Sequence, residues 1–343
     1  MARPYYYEID LIRFVSAVLV VGFHLGYLNR GAADYHPVWP VTWCGWIGVE
    51  IFFVISGLVI ANSASNATPL GFLKGRCMRL YPAAWCCATL TLLVVGVNHT
   101  NLPSYLRSII LLPKGPWIDD VYWTLSVEIC FYAVVFLLLV YQRLSMKVDL
   151  ASLAFAMTAI NMIGILVLAG KQCGIFDADG ATKLVDHANL IFARHGSFFA
   201  LGIWIWLSTV RSLTVWDKLG FSLALVAGAV EILLRGAEFV PFQNRLWLLQ
   251  PLIVWGAALA AIAVFARVPA KRNMMVLRQL GLMTYPLYLV HNVVGREIER
   301  EIIRLGVDKW LALSASAVAV IGLSWLICRF IEPMGRDLMR RVI

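Results

Sequence analysis

Ten apolar stretches dominate this chain of 343 residues, at 9–28, 44–64, 82–97, 123–141, 150–170, 190–208, 219–235, 246–266, 278–294 and 310–331. Each approaches the length a helix needs to cross the hydrocarbon core of a bilayer, about 30 Å or roughly 20 residues. Inside lipid the backbone must satisfy its own N–H and C=O groups, so stretches of this length read as helices. The expected fold is an all-α integral membrane protein with about ten transmembrane helices in a single bundle. Composition agrees: 61% of the residues are hydrophobic and 14% charged, far from the average soluble domain.

Charge placement gives the orientation. The opening MARPYYYEID carries Glu8 and Asp10, and no small-residue cleavage site follows it, so the first stretch is expected to stay as a span. With the N-terminus inside, the inner segments hold Arg3, Lys74, Arg76, Arg79, Arg143, Lys147, Arg211, Lys218, Arg267, Lys271, Arg272, Arg278, Arg336, Arg340 and Arg341. The outer loops hold fewer, and four of theirs fall within 295–309. Both termini are therefore expected in the cytoplasm. The net charge of +9 follows from the same basic inner loops facing anionic lipid, and nothing points to nucleic acid. The seven cysteines form no CxxC pair and read as small apolar filler, with Cys44 and Cys173 the one pair that could share an oxidising exterior.

No repeat, low-complexity tract or flexible linker interrupts the chain, so one membrane domain over 1–343 is expected, with no fused extracytoplasmic domain. Two outer loops are long, 98–122 and 171–189, and each reads equally as a lid or a connector. Residues 295–309 place Ile298, Ile302 and Leu305 at helical spacing among charges, the pattern of an interfacial amphipathic helix.

The polar residues inside the spans carry the chemistry. Arg13 and His24 lie eleven positions apart, which returns a helix to within about 20° of its starting face and separates them by roughly 16 Å. An ionisable group in a span costs roughly 2.5 kcal/mol or more, so two on one face imply a polar cavity through the protein. Sorted by depth, His24, Glu50, Glu128 and His291 converge near the outer side on four helices, with Ser126, Tyr132 and Trp123 on the fourth helix and His291 as candidates for positioning an acceptor. Such a set suits acid–base catalysis, because a carboxylate beside an imidazole fixes its tautomer and raises its basicity. Zinc is the competing idea, but no HExxH or ExxH spacing supports it, and a purely structural network is the other alternative. At the inner side Lys74, Arg76 and Arg79 precede the third stretch, Pro82 fits its first turn, and Arg13 lies at a comparable depth. For Lys74 lipid headgroup contact is the favoured reading. Guanidinium groups at a membrane-embedded mouth suit a phosphate-bearing donor, and Arg13, Arg76 and Arg79 are the donor-binding candidates. A donor held there with a long thin arm reaching His24 has the shape of acyl coenzyme A.

Several of these motifs resemble the bacterial membrane-bound acyltransferase family three: Arg13 followed by ten residues and His24; GVEIFFVISG with Glu50 and Gly57; the RxxRxxP run Arg76, Arg79 and Pro82; WTLSVEICFY with Glu128; and TYPLYLVH ending at His291. The resemblance covers the full chain. It implies O-acylation of a carbohydrate, most often O-acetylation from acetyl-CoA, by a multi-pass protein of the bacterial inner membrane with no permanently bound cofactor. By position it makes His24 the catalytic base, Arg13 its motif partner, Arg76 and Arg79 donor contacts and Glu128 the essential-looking acidic residue of the fourth helix, while Glu50 is a catalytic candidate by its depth. The alternative from another class is a proton-coupled transporter of a glycolipid or sugar, with His24, Glu50 and Glu128 as a proton relay.

Overall fold

The computed structural model describes residues 5–29, 33–144, 149–239, 246–268 and 274–342. Arg3, Lys147, Lys271 and Arg272 of the charge pattern lie outside the described residues. In chain order the helices are α1 (Tyr7–Gly22), α2 (Trp39–Thr42), α3 (Ile47–Ala64), α4 (Pro69–Val95), α5 (Asn101–Ile109), α6 (Trp123–Arg143), α7 (Leu150–Gln172) and α8 (Ala178–His187). They continue with α9 (Gly196–Val210), α10 (Val215–Ala237), α11 (Leu249–Arg267), α12 (Met275–Val290), α13 (Val293–Arg304), α14 (Lys309–Leu326) and α15 (Glu332–Val342). Short π-helical segments extend α1 over Phe23–Leu28 and α14 over Ile327–Ile331.

Among the described residues nine helical runs are long and apolar enough to cross a membrane, and they coincide with nine of the ten apolar stretches. The protein is an all-helical, multi-pass membrane protein. The remaining stretch, 278–294, forms α12, which has only 16 residues. At 1.5 Å per residue it is about 24 Å long, short of the roughly 30 Å core. The chain then turns at His291 and Asn292 into α13.

The third span differs from the sequence reading at its start. Helix α4 has 27 residues, about 40 Å of helix, so Lys74, Arg76 and Arg79 lie on the helix itself and Pro82 is inside it. The helix is longer than the roughly 30 Å core, and the low hydropathy of its basic first turns hides a helix that has already begun. Pro82 cannot donate to the carbonyl four residues back, a loss that membrane helices tolerate when neighbours re-satisfy the freed group. Gly335 lies against that proline, where a Cβ would come within 2.8 Å of the Pro82 ring.

The chain divides into two compact units. The first comprises Met1–Ile9, Val49–Phe72 and Val127–Ala270. At its heart is α9, buried continuously from Gly196 to Leu207. Small residues let α3 and α9 approach: a methyl on Gly57 would overlap the carbonyl of Phe199, and one on Gly202 the carbonyl of Val54. The rings of Phe53 and Phe131 pack on Phe199 with centroids 4.7 and 4.5 Å away. The loop 171–189 contains α8, which folds back on α7.

The second unit comprises Asp10–Gly48, Leu73–Ser126 and Lys271–Ile343. Here Gly45 and Gly48 have no room for a side chain, because the carbonyls of Leu19 and Ser16 on α1 occupy the space. The long loop 98–122 is folded. It contains α5, it receives the Trp85 indole N–H of α4 at the carbonyl of Ile109 (2.9 Å), and Ser108 Oγ accepts the Ile118 N–H (2.9 Å). That anchoring delivers Asp119, at the loop's end, to a buried position.

Candidate active site

The second unit holds the histidine pair. His24 lies in the π-helical turn that follows α1, a local geometry often found at functional sites. Its Nδ1 is 3.0 Å from the carbonyl oxygen of Val20, so Nδ1 carries the proton and donates. His291, the residue that ends α12, likewise donates from Nδ1 to the carbonyl of Tyr288 at 2.7 Å. Its Nε2 is therefore an acceptor when the ring is neutral, and it faces His24 Nδ1 at 3.2 Å. The rings meet edge to face with centroids 4.7 Å apart. Two backbone carbonyls thus set both tautomers, and the consequence for His24 is specific: its Nε2 keeps a lone pair and has no hydrogen bond among the described residues. His24 is half-buried, whereas His291 is 0% exposed.

Asp119 fixes the corner that carries His291. It caps the short 3-10 helix Asp120–Tyr122 by accepting the Val121 N–H at 3.2 Å. It also accepts from Asn292 Nδ2 at 2.7 Å and from the Val293 N–H at 3.0 Å, the two residues that follow His291. Burial raises its carboxyl pKa above the ordinary value, and the donated bonds from Asn292, Val293 and Val121 oppose that rise.

Helix α13 is amphipathic, as the spacing within 295–309 suggests, but Leu305 lies beyond its last residue. Its buried residues include Val294, Gly295 and Glu299, while Ile298 and Ile302 are only half-buried and Leu305 is 80% exposed. One carboxylate, Glu299, lies on the buried face beside Val294 and Gly295. Glu299 Oε2 accepts from Asn29 Nδ2 at 3.0 Å, and burial raises its carboxyl pKa.

Of the arginines proposed for the donor, Arg13 approaches Asp10 at 3.8 Å, and the Asp10 carboxyl is packed so closely on Gly281 that a Cβ there would overlap it. Arg76 and Arg79 are half-buried and three residues apart on α4. Glu332, buried at 2% exposure, lies within electrostatic reach of Arg79 and 3.9 Å from Arg336. Trp123 and Ser126 begin α6 in this unit, with Ser126 Oγ directed to the Tyr122 carbonyl at 3.4 Å.

The other candidate residues make their bonds within the first unit. Glu50 Oε2 meets His195 Nδ1 at 2.9 Å. The same imidazole nitrogen lies 3.7 Å from Glu231, whose carboxylate accepts the His195 backbone N–H at 3.1 Å and Asn161 Nδ2 at 2.8 Å. His195 and Phe192 both adopt left-handed backbone conformations, φ 65° and 70°, which are costly for residues with a Cβ. A small cavity of about 50 Å³ lies beside this cluster, lined by Lys171, Arg194 and Arg235 as well as Glu50, His195 and Glu231. Glu128 Oε1 accepts from Ser56 Oγ at 2.8 Å and from Tyr132 Oη at 2.6 Å.

The structure thus joins His24 to His291, and it supplies two carbonyls where a carboxylate was expected to set the tautomer. Asp119, Arg296 and Glu299 escaped the sequence reading because they sit in loop or amphipathic segments, where charge is ordinary, whereas Asn292 stands inside the apolar stretch 278–294. Asn161 and Glu231 lie inside apolar stretches, so the cost of a polar group in a span was a signal that could have found them.

The chain matches acyltransferase family three, described as an acyltransferase domain, over residues 6–329. It is 24% identical over 309 residues to BcsY of Komagataeibacter xylinus, named as a membrane-bound transacylase, covering 83% of this chain and 71% of that protein. It is 25% identical over 365 residues to nodulation protein 10 of Rhizobium leguminosarum bv. viciae, covering 92% and 90%. A shorter match, 29% over 106 residues, covers 26% of this chain and 33% of exopolysaccharide production protein ExoZ of Rhizobium meliloti strain 1021. No solved structure matches the chain. With a match running from the start of α1 into the π-turn after α14, and so taking in both histidines and the arginines of α4, this chain belongs to acyltransferase family three.

Proposed function

We propose that the protein is a membrane O-acyltransferase that moves an acyl group, acetyl in the first instance, from acyl coenzyme A to a hydroxyl of a carbohydrate. The observation that carries the reading is the bare Nε2 lone pair of His24, held in place by the Val20 carbonyl and His291. In this mechanism the acceptor hydroxyl gives its proton to His24 Nε2 as its oxygen attacks the thioester carbonyl. The tetrahedral adduct collapses, the C–S bond breaks, and the departing thiolate takes the proton back from the imidazolium. His291 accepts from Nδ1 throughout and orients the base. Arg13, Arg76 and Arg79 hold the donor phosphates, as bidentate guanidinium groups do. Trp123 and Ser126 position the acceptor, with Tyr132 held by Glu128; Glu50 and Glu128 organise the first unit's polar interior.

The relatives named for exopolysaccharide production and for transacylation support a surface polysaccharide, or its lipid-linked precursor, as the acceptor. The basic inner segments support a bacterial inner-membrane protein with both termini in the cytoplasm. The test uses protein purified in detergent, where transport cannot contribute. Wild type should release free thiol from acetyl-CoA in the presence of a sugar acceptor, and His24→Ala should reduce turnover by about 10²–10⁴-fold while eluting as a folded protein. A folded His24→Ala variant with near wild-type turnover would refute the assignment of the base.

A further inference from the structure

Arg296 is a half-buried guanidinium near the histidine pair that makes no counter-ion contact among the described residues. It lies one turn into α13, where its backbone N–H bonds the carbonyl of Asn292 at 3.0 Å, immediately after His291. Its Nε is buried with no hydrogen-bond partner, and among the described residues it forms no ion pair. The other arginines of this helix are matched, Arg300 to Glu297 and Arg304 to Glu301. Of the nearby carboxylates, Asp119 accepts from Val121, Asn292 and Val293, and Glu299 accepts from Asn29 through Oε2 while its Oε1 stays unbonded among the described residues. Asp119 and Glu299 act on Arg296 only at a distance, and Arg296 is in turn within electrostatic reach of both His24 and His291. A guanidinium partly withdrawn from water with its Nε unbonded carries a cost that an anion bound beside it would offset.

We propose that Arg296 is a catalytic residue that stabilises the oxyanion formed when the acceptor hydroxyl adds to the acyl carbonyl. The inference rests on the acyl-transfer reading above. Before reaction, His24 is neutral and Arg296 has no anion to meet. As the new C–O bond forms, the hydroxyl proton passes to His24 Nε2 and the carbonyl π pair moves onto oxygen. The imidazolium and the guanidinium would repel each other but for that oxygen, which is negative only in and near the transition state. When the C–S bond breaks, the carbonyl re-forms, the thiolate takes the proton, and both charges disappear together. The guanidinium is therefore favourable at the one stage where catalysis needs it.

The experiment measures acetyl transfer by the full-length protein in detergent with a neutral sugar acceptor and with one bearing a carboxylate. Arg296→Ala should lower kcat by about 10²–10³-fold with both acceptors, while donor KM stays within about threefold. Methylguanidinium in solution should restore part of the Arg296→Ala rate, which repair of a merely structural defect would not do, and Arg296→Lys should retain more activity than Ala. Coenzyme A binding by calorimetry reports on folding, and if Arg296→Ala does not fold, the Lys variant and its kcat decide. A loss confined to donor KM, a loss seen only with the acidic acceptor, absence of rescue in a folded variant, or Lys no better than Ala would overturn the proposal. Wild type that transfers no acyl group would instead refute the acyl-transfer reading itself, so the two failures are distinguishable.

Discussion

His291→Phe separates the base from the group that orients it. The substitution keeps an aromatic ring in the buried site and removes two polar contacts, the bond from His24 Nδ1 at 3.2 Å and the bond to the Tyr288 carbonyl at 2.7 Å. The His24 tautomer survives, because the Val20 carbonyl at 3.0 Å still takes the Nδ1 proton. What changes is support for the imidazolium. A neutral hydrogen bond contributes about 1 kcal/mol and one to a charged group about 1.5–3 kcal/mol, so the difference that reaches the transition state is roughly 0.5–2 kcal/mol. At 1.36 kcal/mol per decade this lowers kcat by about 2- to 30-fold. Donor KM should not move. The Tyr288 carbonyl, left without its donor, costs about 1 kcal/mol of stability, which lowers the unfolding midpoint without touching kcat. The assay is steady-state thiol release from saturating acetyl-CoA in detergent, run beside His24→Ala. A folded His291→Phe variant that loses as much as His24→Ala would mean that His291 is itself the base or that the pair acts as one, and the geometry given for His24 would be wrong. A variant with wild-type kcat would mean that no charge develops on His24.

Arg76→Ala and Arg79→Ala should each weaken coenzyme A binding in calorimetry, and Lys should rescue poorly because the contact is bidentate; unchanged affinity would return both residues to lipid headgroup contact. Glu299→Gln tests a pH dependence. Burial raises the Glu299 pKa, so folding takes up a proton there, and the stability this gives is full below the ordinary glutamate pKa of about 4.3 and is lost as pH rises through the raised value. The Gln variant lacks that loss and should gain on wild type in unfolding midpoint as pH rises above about 4.3; a constant difference would show that Glu299 titrates normally.

The spans were legible because apolar length is a one-dimensional property, and nine of the ten stretches became long apolar helices. The start of α4 was not, because its first turns carry Lys74, Arg76 and Arg79, and a helix that leaves the hydrocarbon loses the apolar signal while keeping its hydrogen bonds. At the site, the cost of an ionisable group in a span singled out His24, Glu50, Glu128 and His291. Depth then gave each of them a height but no direction around the helix. Only packing decides that Glu50 turns to His195, Glu128 to Ser56 and Tyr132, and His24 to His291. Asp119 and Arg296 had no such signal, since a charge outside a span costs little until the chain folds over it.

The π-turn after α1 shows how direction is lost. The helical wheel that aligned Arg13 with His24 assumes 3.6 residues per turn, and ten of its eleven steps fall within or at the end of α1, before the wider turn has accumulated much rotation. That alignment is therefore nearly preserved. Beyond His24 each residue drifts further from the face the wheel assigns, so Asn29, just past the π-turn, reaches Glu299 of α13 in a direction that no regular periodicity of the first span specifies. The widened turn carries the base and, just past its end, the Asn29 that bonds Glu299 of α13, a placement set by backbone geometry that leaves no mark in residue spacing.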